Sequence, residues 1–149
     1  MWDRAAHIGY NRSVNAKEIA GRLTAVSQFM SRVLRKNVRP DNRELVVYAR
    51  TTYCPYLDIA RKVFKKYRIA TREIMIDQDV SAAEKVIAWT GFRSVPTIIS
   101  AETGMDVPYT EPEPLAPGAS PRGVNRGPMI TEASTEDLEA WLRQEGFLK

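Results

Sequence analysis

A single cysteine, Cys54, stands in the stretch Thr52-Tyr53-Cys54-Pro55-Tyr56-Leu57, and its thiol is the strongest nucleophile the chain offers. The residues before it, Leu45-Val46-Val47-Tyr48-Ala49, form an apolar, β-branched run of strand length, and Pro55 to Tyr67 has helical spacing. A cysteine between strand and helix lies where first-turn N–H groups lack an intrahelical partner and the helix dipole favours negative charge. Pro55 suits the first helical position, since it lacks an N–H that would be unpaired there. This placement favours the thiolate, the form that attacks disulfides, and Arg50 upstream adds positive charge. Lone cysteines are also common as inert core residues. Strand, Cys-Pro and helix in succession point instead to a reagent. One cysteine cannot close an intrachain disulfide, and with His7 as the sole histidine a zinc site made from one chain is very improbable.

A second chemical feature is Ser94-Val95-Pro96-Thr97. An X-Pro bond turns cis at modest cost, and a cis turn beside the cysteine would leave the backbone N–H and C=O of Val95 open to an extended ligand, as to an added strand.

Val47-Tyr48 through Cys54-Pro55-Tyr56 resembles the glutaredoxin active-site stretch, in which a strand leads into C-P-Y-C, and Ser94-Val95-Pro96-Thr97 resembles that family's T-V-P segment. The resemblance covers roughly Glu44 to Ser100 and Met129 to Phe147. It implies an α/β thioredoxin fold, βαβ then ββα on a four-stranded mixed sheet, with Pro96 cis and Cys54 as the nucleophile in the motif completed by Pro55, Tyr56 and Leu57. It further implies a groove in which Arg50, Tyr56, Val95, Pro96, Thr135 and Glu136 bind glutathione or a similar low-molecular-weight thiol as co-substrate. No tightly bound cofactor is expected.

Three departures shape the chemistry. Leu57 stands where the family has its second cysteine, which leaves a single-thiol route: Cys54 takes a glutathionyl group from a mixed disulfide and a second glutathione frees it. Thr51 replaces the family's glutathione-binding lysine, and Arg50, one place further back, is the nearest cation. Thr135-Glu136-Asp137-Leu138 matches the second half of the family's Gly-Gly then Cys/Ser/Thr-Asp-Asp-Leu motif, while Thr131-Glu132-Ala133-Ser134 replaces the glycines. Amides at that helix start suit a carboxylate, and plain N-capping explains the same residues equally well. Pro55-Tyr56 also departs from the Cys-Gly-Phe-Ser glutaredoxins that bridge a [2Fe-2S] cluster, so glutathione-assisted cluster carriage is a minor alternative.

The elements that must position these residues follow from periodicity. Strands are predicted at Leu45–Ala49, Thr71–Ile76, Pro96–Ser100 and Met129–Thr131. Helices are predicted at Pro55–Tyr67, with Ile59, Val63, Phe64 and Tyr67 inward; at Ser81–Trp89, with Ala82, Val86 and Trp89 inward and Gly91 as its stop; and at Thr135–Glu145, with Leu138, Trp141 and Leu142 inward. An insertion at 101–125 holds five of the nine prolines, which reads as neither helix nor central strand. Ahead of this domain (44–149), residues 1–43 form a basic extension. Ile19, Leu23, Val26, Met30, Val33 and Leu34 give it an amphipathic helix from about Ala16 to Lys36, with a linker through Pro40.

Over its 149 residues the chain is 44% hydrophobic with a net charge of +4, which predicts a soluble, folded protein. Its charge is uneven: residues 1–43 carry nine Lys/Arg against three Asp/Glu. Such an arm suits a protein partner or another anionic surface, and a solvated basic helix equally well. No apolar run approaches the roughly 20 residues of a membrane span, and no secretory signal opens the chain, so a cytoplasmic location is expected. The leading reading is a monothiol disulfide oxidoreductase whose partners are a low-molecular-weight thiol and a protein disulfide or mixed-disulfide substrate. Its rival is a redox-inactive binding or scaffold subunit that uses the basic helix and the Pro-rich loop. An inter-chain disulfide through Cys54 is a third possibility.

Overall fold

Leu45 to Ala49 are all completely buried, so the strand that carries them must be covered on both faces, as a central strand is. In the computed structural model, which describes residues 42–149, this strand, β1 (Arg43–Ala49), lies inside a four-stranded sheet. The other strands are β2 (Thr71–Met75), β3 (Thr97–Glu102) and β4 (Met129–Thr131), in the order β2-β1-β3-β4. β1 and β2 run parallel, with Leu45 opposite Thr71 and Ala49 opposite Met75. β3 is antiparallel to both β1 and β4, with Tyr48 opposite Thr97 and Ile98 opposite Ile130. β2, at the sheet edge, is half-buried throughout, so Ile74 is only partly covered; Ile76, buried, falls just past the strand end.

Helix α1 (Pro55–Tyr67) connects β1 to β2, α2 (Val80–Thr90) connects β2 to β3, and α3 (Thr135–Gln144) follows β4. The inward face of α1 is Leu57, Ala60, Val63 and Phe64. Val63 and Phe64 are buried as expected and Tyr67, half-buried, packs against the core, whereas Ile59 is half-buried at the margin of the stripe. α1 and α3 are joined by Glu139, which accepts from Lys66 Nζ at 3.1 Å and Tyr67 Oη at 3.0 Å. In α2, Asp79 caps the start by accepting from Ala82 N–H, and Ala82, Ala83, Val86 and Thr90 face the core. Trp89, also expected inward, is half-buried and packs against this core, meeting the buried Tyr48 edge-on with ring centroids 5.4 Å apart. Gly91 ends α2 with φ of 80°, a left-handed geometry that a glycine adopts without steric cost.

β3 continues through Ala101 and Glu102, so the insertion begins two residues later than the proline count suggests. It is ordered at both ends. Tyr48 Oη donates to the Asp106 carbonyl, Lys85 pairs with the Asp106 carboxylate, and the Arg43 guanidinium lies 4.3 Å from the Tyr109 ring centre. At the far end the buried Arg126 donates to the carbonyls of Glu113 and, at 2.6 Å, Trp89. Arg122 and Asn125 form isolated bridges with Thr131 and Ile130. Residues 1–41, including the amphipathic helix expected at Ala16 to Lys36, lie outside the described residues. The βαβ then ββα order on this mixed sheet is a thioredoxin-type α/β fold.

Candidate functional site

β1 delivers its chain end to the head of α1, and Cys54 sits there as the N-cap residue in extended backbone geometry. No side chain caps the first turn of α1, and Pro55 occupies the start of the helix. Cys54 is 7% exposed, and its Sγ–H donates to the carbonyl oxygen of Val95 at 3.4 Å. The Val95–Pro96 peptide is cis. Thr97, at the start of β3, holds this turn by donating its hydroxyl to Ser94 O at 2.8 Å. Thus the ends of two adjacent strands, β1 and β3, bring Cys54 and Val95 into contact across 41 residues of sequence.

Residues 45–103 match the family model for glutaredoxin. The chain carries a glutaredoxin-family domain. The match spans β1 to the end of β3 and includes Cys54, Val95 and Pro96, whereas most of the insertion, β4 and α3 lie beyond it. No curated protein matches the chain.

The other predicted site residues of the glutaredoxin domain fall into three groups. Tyr56 is half-buried beside Cys54, and Leu57 is 1% exposed, a core residue pointing inward from α1. Arg50 turns back on its own loop: Nη2 donates to Tyr53 O at 3.0 Å, while its Nε is buried without a hydrogen-bond partner. Thr135 and Glu136 are exposed in the first turn of α3, whose N-cap is Ser134, accepting from Asp137 N–H. The segment just before this helix is tied to the cis proline, since Glu132 N–H donates to Pro96 O at 2.9 Å. No hydrogen bond among the described residues joins Thr135 or Glu136 to Cys54.

Several residues of the neighbourhood escaped the sequence reading. Asp77 accepts from the Thr51 amide at 2.9 Å and from the Thr51 hydroxyl, and these bonds hold its carboxyl below the usual carboxylate range. The place of the family's lysine is therefore a neutral hydroxyl bound to an anion. Asp77 just follows β2, a strand parallel to β1, and the ends of parallel strands are where sites gather; that position was the available signal. Glu132 stands at φ of 45°, a left-handed geometry that costs a non-glycine residue roughly 1 kcal/mol. Its carboxylate accepts from Arg122 Nε at 2.7 Å. Arg122 belongs to the insertion and lies over the Tyr56 ring, 5.1 Å from its centroid. Nothing periodic marks Arg122, so only the folded chain shows that it reaches the site.

Proposed function

We propose that the domain is a monothiol disulfide oxidoreductase acting on mixed disulfides of glutathione or a related low-molecular-weight thiol, with Cys54 as nucleophile. The observation that carries this reading is the contact of Cys54, at the head of α1, with the Val95 carbonyl before cis Pro96. When Cys54 gives up its proton, that carbonyl loses its S–H donor and can accept an N–H of the incoming thiol's peptide part, so activation and binding use one acceptor. The Cys54 thiolate attacks the glutathionyl sulfur, the S–S bond breaks, and the substrate thiolate leaves and takes a proton. A second glutathione thiolate then attacks the Cys54 mixed disulfide, giving glutathione disulfide and restoring the Cys54 thiolate. Arg50, Tyr56, Thr135 and Glu136 complete the groove in this reading.

Incubation with glutathione disulfide followed by intact-mass measurement tests it. One glutathionyl adduct on the wild type and none on Cys54→Ser is expected, together with turnover of a small glutathione mixed disulfide. A wild type that stays unmodified under excess disulfide overturns the proposal. The redox-inactive binding subunit is the second reading, favoured by the burial of Cys54 and by the Thr51–Asp77 pair in place of a cation. It predicts that Cys54→Ser retains every cellular phenotype.

A further inference from the structure

The Cys54 loop offers an incoming anion little: Thr51 is bound to Asp77, and Arg50 is turned onto the Tyr53 carbonyl. A cation arrives from elsewhere. Arg122, at the end of the insertion, lies over the ring of Tyr56, two residues past the nucleophile. It is not a dangling side chain. Its backbone bridges to Thr131, and the next residue, Gly123, donates its N–H to Thr131 O at 2.7 Å. Gly123 also stands at φ of 70°, a left-handed geometry that a glycine adopts without steric cost, which fixes the turn beside α3. Such anchoring lowers the ordering cost of using Arg122 as a binding group.

The Glu132 carboxylate engages Arg122 through Nε, which leaves the Nη edge of the guanidinium for a ligand, on a side chain 60% exposed. Arg122 also lines a cleft of about 410 Å³ whose other walls include Arg93, Ser94, Ser120 and Glu132. Ser94 directly precedes Val95, so the cleft begins where the backbone at the cysteine ends. Arg93 has no charged partner among the described residues. Two guanidinium groups against one carboxylate leave the cleft net positive, and a planar fork is the geometry that takes a carboxylate through two parallel hydrogen bonds.

We propose that Arg122, assisted by Arg93 in the same cleft, binds a carboxylate of the low-molecular-weight thiol on which Cys54 acts, so that the insertion sets the selectivity of the site. The identity of the ligand rests on the function proposed above; the anion site rests on the cleft and its two cations.

The test separates the two. Cys54→Ser protein is titrated calorimetrically with S-methylglutathione and with the diester of the same compound, and wild type is assayed on a small glutathione mixed disulfide. Arg122→Ala in the Cys54→Ser background is expected to weaken S-methylglutathione about tenfold, the loss of a charge-assisted contact, and to leave the diester unchanged. In the redox assay Arg122→Ala raises KM by a similar factor with kcat within about twofold, since the contact is made equally in ground and transition states. Glu132→Gln breaks the same ion pair but keeps the guanidinium, and binds at least as tightly as its parent. If Glu132→Gln weakens binding as much as Arg122→Ala does, the ion pair only holds the loop and the proposal is overturned. Faster turnover in Arg122→Ala would make the residue a strap over the groove, which also overturns it. So does an unchanged affinity, or a Cys54→Ser protein that takes up no S-methylglutathione. Arg122-dependent binding with no Cys54 turnover removes the redox reading and leaves this site standing. Turnover that ignores Arg122 does the reverse.

Discussion

Leu57 occupies the place of a second cysteine, and the fold uses it as a core residue beneath α1, 1% exposed. Leu57→Ala should therefore lower stability by about 2–5 kcal/mol, the range for truncating a buried leucine, read from urea unfolding. A destabilisation under 1 kcal/mol would mean that the position is not packed. Cys54 is a different case. Its type and its place before Pro55 already mark it as the candidate nucleophile in the sequence, but its contact with Val95 O depends on a residue 41 positions away. Arg50 was legible as the nearest cation, yet its Nη2 turns back onto Tyr53 O while its Nε is left without a hydrogen-bond partner. The competition between a local carbonyl and a ligand is a matter of coordinates, not composition.

At the scale of elements, the sequence carried most of the information. Pro55–Tyr67 and Met129–Thr131 are observed with the predicted bounds, because Pro55 fixes one helix start and a short apolar run leaves little room for error. The inward face of α1 was legible at Val63, Phe64 and Tyr67 but incomplete, because Leu57 was assigned to the motif and Ala60 is too small to stand out in a hydrophobic pattern; both are buried. α2 begins one residue before its expected start, directly after its cap, Asp79. Asp79→Ala removes the acceptor for Ala82 N–H and should cost about 1 kcal/mol, with the urea midpoint moving accordingly. α3 depends similarly on Ser134. Thr135 and Glu136 are exposed in the first turn of α3, and it is Glu132, ahead of that helix, whose N–H bonds to Pro96 O.

For the molecule as a whole, charge and the insertion matter most. Glu73, Asp77, Asp106 and Glu139 are each held below the usual carboxylate range, chiefly by hydrogen bonds from Arg61, Thr51, Lys85 and Lys66 respectively. The unfolded chain thus binds more protons in acid, and stability present above about pH 4.5 is lost as pH falls through the lowered folded values. Urea midpoints at about pH 6, 4 and 3 should decrease in that order, and a flat profile would count against these pairs. In alkali the sign reverses. Burial, and next the nearby Asp106, push the Tyr48 phenol upward, so above about pH 10 the unfolded chain ionises first and stability falls. Arg126→Ala should loosen the insertion by leaving the Trp89 and Glu113 carbonyls without their donor, seen as faster proteolysis within residues 113–121. By itself the sequence determined the strand and helix order, the lone cysteine at a helix head and the Val-Pro turn, because periodicity, a proline and a lone thiol are local signals. Tertiary structure decided what surrounds that thiol: Asp77 on Thr51, Arg122 over Tyr56, and Glu132 in a left-handed turn. Those contacts join segments far apart in the chain, and a long Pro- and Gly-rich insertion carries no period from which its landing place could be read.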